Sequence, residues 1–186
     1  MKAFPFYGRV FLLLGQAVHM ELIQNKVAES GLLVLDPAQY LTEIKVEAFD
    51  LKDFLFHGMV LKEKDFREQL KAFDWKSHTG KFVALHCTTD AILPTWAFML
   101  VTQYLHGVEA KVAAATPAFM REQLALTAIQ QADFSRFKGA RVILKGCGDE
   151  SVPVSLYTAL SSALLPLVKS LMYGEPCSTV PVYKKK

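Results

Sequence analysis

The sequence predicts an α/β fold: a layered, mostly parallel sheet with a βαβαβα carboxyl-terminal half and a smaller irregular α+β amino-terminal part. Residues 82–86, 111–115 and 142–144 are short, nearly continuous apolar runs, the pattern of parallel strands buried on both faces. Each run is followed by a helical pattern that opens near a proline: Pro94, Pro117 and Pro153. Proline suits the first helical turn, where its missing N–H would have no partner. Strand and helix thus alternate, and parallel strands joined by helices build a layered sheet.

Before residue 80 the pattern is less regular. Residues 31–35 and 44–49 read as short strands, with a turn at Asp36-Pro37 between them. Residues 62–73 read as an amphipathic helix with Phe66, Leu70 and Phe73 on one stripe. The apolar stretch 53–60 has no period and takes no assignment. In the second half, Thr116 is placed to cap the helix that opens at Pro117. The helix over 95–106 (Trp96, Phe98, Met99, Leu100, Val101, Tyr104, Leu105) is apolar nearly all round. Such a helix packs on both sides, inside a domain or at a homodimer interface. Pro166 should break the last helix.

Length and composition set the class. At 186 residues, 52% hydrophobic and 21% charged, the chain is globular rather than disordered, and long enough for one buried core. Residues 1–19 carry Lys2, Phe4, Phe6, Val10 and Leu12-Leu13-Leu14, a faint likeness to a signal peptide. Arg9 splits that run and no small-x-small cleavage site follows. The expectation is that 1–19 is an upstream extension or a disordered segment, and that 20–186 is a single α/β domain starting at Met20. A net charge of +3, part of it the run Lys184-Lys185-Lys186, gives no footprint for nucleic acid. No apolar run reaches the length that spans a membrane. The cysteines number 3, an odd and sparse set that suits a reducing, cytoplasmic setting rather than a disulfide framework.

Those cysteines carry the chemistry that can be read. Cys87-Thr88-Thr89-Asp90-Ala91-Ile92-Leu93-Pro94 and Cys147-Gly148-Asp149-Glu150-Ser151-Val152-Pro153 share a grammar: cysteine at a strand's end, then aspartate, then a proline opening a helix. In open parallel sheets ligands bind beyond the carboxyl ends of the strands. If the strand ahead of Cys87 and the strand ahead of Cys147 are neighbours, they lie about 4.8 Å apart, and the thiols can share a metal ion or a disulfide. With one strand between them the gap is about 10 Å, and a bulkier ligand is needed. Thiolates select zinc, iron–sulfur clusters or copper(I), while Asp90, Asp149 and Glu150 add oxygen donors that suit a cation. The plainer reading makes the aspartates helix caps and the cysteines inert core residues. Cys177, in the proline-rich stretch 174–181, falls at the opposite edge by simple topology, and a chain reversal at Pro166 would return it to the other two. Three thiolates and one further donor would make a four-coordinate site, although no CxxC-type spacing is present.

Other signatures fail. Gly146-Cys147-Gly148 is a lone GxG without the later glycine, and there is no GxxxxGK[ST] loop. The turn after Cys147 holds acids and no arginine, against an oxyanion-binding cysteine loop. Among the histidines, His86 should point to the face opposite Cys87. His57 and His78 sit in ambiguous loops, and His106 beside Gly107 reads as a helix end.

Several segments resemble domain-of-unknown-function family 2480. They are Asn25-Lys26-Val27-Ala28, Ser30-Gly31-Leu32, residues 61–67, His86-Cys87-Thr88-Thr89-Asp90 through Ala97, Lys145-Gly146-Cys147-Gly148-Asp149, and Met172-Tyr173-Gly174-Glu175-Pro176-Cys177-Ser178-Thr179-Val180-Pro181. The likeness runs from about Met20 to the end, and all three cysteines stand inside it. It implies a small bacterial cytosolic protein encoded near the sulfur-mobilisation genes of iron–sulfur cluster assembly. The resulting expectation is a metal- or iron–sulfur-binding accessory factor that works with the iron–sulfur assembly proteins. It would hold zinc, iron or a cluster on Cys87, Cys147 and Cys177, with Asp90 or Asp149 as auxiliary ligands. The alternatives are a cysteine-dependent enzyme with Cys147 as strand-end nucleophile, and a homodimeric interaction module using helix 95–106.

Overall fold

The computed structural model describes residues 31–146 and 151–186. The expectations for residues 1–19 and for Cys147, Asp149 and Glu150 therefore lie outside the described residues. In chain order the elements are β1 (Leu32–Leu35), α1 (Gln39–Thr42), β2 (Val46–Asp50), α2 (Glu63–Ala72), β3 (Phe82–His86), α3 (Thr95–Gly107), β4 (Lys111–Ala114), α4 (Pro117–Gln131), β5 (Arg141–Lys145), α5 (Val154–Leu164), β6 (Ser170–Glu175) and β7 (Ser178–Lys184). Every pairing among β1 to β6 is parallel, and β7 alone runs antiparallel, against β6. The α/β class is as predicted.

The strands do not share one sheet, however. β2, β3 and β4 form a three-stranded sheet in that order, while the other four are ordered β1-β5-β6-β7. Both sides of β5 are taken by β1 and β6, so neither strand order considered above applies. The strands that precede Cys87 and Cys147 are not neighbours. The chain correspondingly divides into two compact units, residues 39–126 and the described residues before Gln39 together with those from Thr127 on.

The 39–126 unit is built on aromatic rings. Phe66 and Leu70, one turn apart on α2, are fully buried, as the stripe predicts. On α3, Ala97, Val101 and Leu105 are buried, and Trp96, Phe98, Leu100 and Tyr104 pack against the same core. Most of the apolar circumference of that helix is thus used within its own unit, and Met99 is left exposed. The Phe49 ring stacks on Phe54 at 5.2 Å and on Trp75 at 5.4 Å, and Trp75 stacks on Tyr104 at 4.9 Å. The Trp75 indole donates to the Leu70 carbonyl at 2.7 Å, which satisfies the polar end of a packed ring.

Several local expectations change in this unit. The unassigned stretch is a 3-10 turn, Leu51–Phe54, followed by a tight loop closed by a Phe56–Val60 bridge. His57 and Gly58 both take positive φ in that loop, so no regular period is present to read. β4 was expected to be buried on both faces, yet Ala113 and Ala114 are exposed, because β4 is the last strand of its sheet among the described residues. α3 runs through Gly107, and the left-handed residue beyond its end is Glu109, at φ 58. The cap at Thr116 holds: its hydroxyl accepts from the Phe119 N–H at 3.3 Å.

In the second unit the core is mostly aliphatic, with Phe134 and Phe137 as buried rings. Val142, Ile143 and Leu144 are buried in succession, as a strand covered on both faces requires. Leu156, Leu160 and Leu164 form a fully buried stripe on α5. α5 stops at Leu164, two residues short of Pro166, and the chain turns into β6. The stretch 174–181 is not irregular: it belongs to a β-hairpin, with Pro176 and Cys177 forming the turn between β6 and β7. Gly174 makes the turn feasible. Its φ is 124, and a Cβ there would collide with the Ser178 carbonyl oxygen. Pro181 sits within β7, the outer strand of the described sheet, where a missing N–H is tolerated.

Candidate sites at the carboxyl ends of the strands

Each unit has one sheet edge where its parallel strands end, and the two edges differ in chemistry. In the 39–126 unit, β2 ends at Asp50 and β3 at His86, which are register partners. The Asp50 carboxylate accepts from the Thr88 N–H at 3.1 Å, the Thr88 hydroxyl at 2.5 Å and the Lys52 N–H at 3.0 Å. Partial desolvation opposes its ionisation, but these donors and the nearby His86 outweigh it, so the carboxyl titrates below its ordinary range. Asp50 therefore ties the end of β2 to the turn that follows β3.

Cys87 lies in that turn. It packs against the aromatic core, and its Sγ lies 3.3 Å from the Thr89 Oγ1. Asp90 is exposed, and α3 opens at Pro94 with no side-chain cap, so the capping role proposed for Asp90 is not found. The His86 Nδ1 lies 3.3 Å from the Ala84 carbonyl, as expected of a histidine held by its own strand. Among the described residues no group of three or more His, Cys, Asp or Glu is close enough to hold a metal ion.

The β1-β5-β6 edge is assembled differently. Asp36, just past β1, pairs with Lys145 at the end of β5, Nζ to Oδ2 at 2.9 Å. Lys145 is in register with Gly174, and the Gly146 N–H donates to the Gly174 carbonyl at 3.2 Å. β5 and β6 thus end level with one another. Cys147 is the next residue after Gly146, and Cys177 lies in the turn that follows β6. The chain reversal considered at Pro166 does occur: β6 runs parallel to β5 and carries Cys177 to the carboxyl end of this sheet. Cys177 is exposed with a free thiol. Cys87 belongs to the other unit.

Three residues at this edge were missed from sequence. The Tyr157 hydroxyl, from α5, donates to the Lys145 carbonyl at 3.0 Å. The Tyr173 hydroxyl, from β6, donates to the Gly146 carbonyl at 3.3 Å, and the two rings meet edge to face at 5.5 Å. Gly146 lies so close to Tyr173 that a Cβ would come within 2.6 Å of its ring. Glu175 is half-buried, and its Oε1 is buried with no hydrogen-bond partner among the described residues. A carboxylate two residues before a cysteine was a visible signal; two tyrosines meeting from different elements were not.

The fold and these edges define an α/β protein with one parallel and one mostly parallel sheet, and with free thiols at their carboxyl ends. The chain belongs to the family described as protein of unknown function (DUF2480), whose pattern matches residues 21–185. Neither the curated proteins nor the solved structures offer a match. No helix among the described residues is long and apolar enough to cross a membrane.

Proposed function

We propose that the chain is a metal- or iron–sulfur-binding accessory factor whose ligands gather at the carboxyl ends of β5 and β6. Cys147 and Cys177 are the thiolates of this reading, with Glu175 and Asp149 as oxygen donors. Cys87 and Asp90, in the other unit, are not required. The observation that carries it is the register of β5 and β6. Both strands end level, one leading directly into Cys147 and the other into the hairpin turn of Cys177. A buried carboxylate oxygen on Glu175, without a partner among the described residues, adds a donor of the right type. Mixed thiolate and carboxylate donors suit zinc or iron. Unpaired thiols fit work in the reducing cytoplasm beside the iron–sulfur assembly proteins.

Metal content and the visible spectrum of the chain, purified without oxygen, test this directly. Zinc or iron near one equivalent is expected, falling away in Cys147→Ala and Cys177→Ala but kept in Cys87→Ala. A metal-free chain that takes up neither zinc nor iron and sulfide would end the proposal. A metal-free chain with one selectively alkylated Cys147 would instead favour a thiol enzyme.

A further inference from the structure

The 39–126 unit carries an apolar rim that its own core does not use. Two segments leave the carboxyl ends of the neighbouring strands β2 and β3. Each is anchored by a leucine, Leu61 in the first and Leu93 in the second, that packs against the aromatic core. Their neighbours turn outward: Phe56, Met59 and Val60 from the first segment and Ile92 from the second are exposed. Met59 is 69% exposed and Ile92 98%, too much for either to serve the core. The two segments are fastened together at their roots, because Asp50 at the end of β2 accepts from the Thr88 N–H and hydroxyl.

The first segment also holds its shape. His57 and Gly58 both take positive φ, the sign pattern of a primed hairpin turn. The Phe56 N–H donates to the Val60 carbonyl at 2.8 Å, and the Met59 and Val60 N–H groups donate to the Phe56 carbonyl at 3.2 Å. The Lys62 ammonium lies 3.2 Å from the centre of the Phe56 ring and steadies it. Holding Phe56, Met59 and Val60 in water does nothing for the fold. It does mean that the loop meets a partner with its ordering entropy already lost.

We propose that a second copy of the chain docks on this rim, by two-fold pairing of the rim with itself. The area suits such a dimer. The four side chains expose on the order of 500 Å², within the upper range for the largest apolar patch on a monomer. Two rims face to face remove about 1,000 Å², the least that a specific interface needs. The charges suit it too, since a two-fold interface must be complementary to itself. Lys52, Asp53 and Lys62 are exposed in the β2 segment and Asp90 in the β3 segment. A two-fold axis between the segments sets the β2 segment of one protomer, with its excess of lysine, against Asp90 of the other. The pairing does not depend on the metal reading, which concerns the other unit.

Sedimentation velocity of the full chain, from micromolar to millimolar concentration, tests this. Reversible exchange between monomer and dimer is expected, because an interface of this size lies at the weak end of the range. A Met59→Asp, Ile92→Asp double variant should weaken the dimer about tenfold or more, the effect of losing interface anchors. Its melting temperature, and its uptake of cobalt(II) as a stand-in for zinc, should match the native chain, because both residues are exposed. Val180→Asp, on the exposed outer strand β7, should leave the dimer unchanged. A dimer that survives the double variant, or that is dissociated by Val180→Asp instead, would overturn the proposal. So would a native chain that is monomeric throughout, and the rim would then be assigned to a different protein.

Discussion

The two units solve the same problem, a parallel sheet with a polar edge, in opposite ways. In the 39–126 unit the core is a stack of rings, Phe49, Phe54, Phe66, Phe73, Trp75 and Tyr104, and the edge is closed by its own groups. Asp50 spends its carboxylate on Thr88 and Lys52, leaving little to offer a ligand. In the other unit the core is mostly aliphatic, built from residues such as Val142, Leu144, Leu160 and Leu171 with the rings of Phe134 and Phe137, while Tyr157 and Tyr173 stand at the edge. There the hydroxyls of Tyr157 and Tyr173 hold backbone, while a carboxylate oxygen of Glu175 and the thiol of Cys177 remain uncommitted among the described residues. The edge that satisfies itself is a scaffold. The edge that leaves donors over is where the proposed metal site is placed.

The largest test of this contrast is in the cores. Phe66→Ala, which removes a fully buried ring, should cost about 3–5 kcal/mol in a urea titration. Leu160→Ala should cost about 2–5 kcal/mol by the same measure. If cobalt binding survives in folded Phe66→Ala but is weakened in folded Leu160→Ala, the functional load lies in the second unit. The opposite result would reverse the assignment. A smaller effect belongs to Asp50. Replacing it with alanine removes the cap on the Leu51–Phe54 turn, a loss of about 1 kcal/mol, and frees the Thr88 turn. Cys87 should then label faster while Cys177 does not change.

The smallest effect is the response to acid. The Glu47 carboxyl is held below its ordinary range by the Lys81 ammonium, with His78 adding to this and partial desolvation opposing it. Asp50 is depressed as well. A carboxyl whose folded pKa is lowered adds stability that is complete above an unfolded value of about 4 and is lost as pH falls through the folded value. Melting curves between neutral pH and pH ~3 should fall more steeply for the native chain than for a Glu47→Gln, Asp50→Asn double variant. Parallel curves would show that these contacts contribute nothing to folding. Glu47 is substantially exposed, so the difference should be modest and shrink with added salt.

Much of the fold was legible because its signals are local. The consecutive burial of Val142, Ile143 and Leu144 follows from an unbroken apolar run. The buried pair Phe66 and Leu70 follows from helical spacing, and the start of α4 from Thr116 and Pro117. The division into two sheets was not legible, because β1 and β6 reach β5 from distant parts of the chain and neither run states its neighbour. The hairpin around Cys177 was hidden by its prolines, which read as breakers although Pro181 occupies an outer strand. Of the candidate site, the thiols were visible as residue types, and Pro166 gave the hint of the reversal that carries Cys177 to the end of the β5 sheet. Glu175, Tyr157 and Tyr173 acquire meaning only through register and packing, and Asp50 only through Thr88, which lies 38 residues away.

Pro181 has a consequence for how the chain keeps company with itself. β7 presents Val180 and Val182 to solvent along the outer strand of the described sheet, a surface that another extended chain can extend by backbone pairing. A proline at the middle of that strand removes one N–H from the row, and Lys184 at its end adds charge to a surface otherwise prone to stacking. The hairpin that holds Cys177 in the open therefore carries its own brake on fibre-like growth, so the thiol can be exposed without the strand becoming a seed.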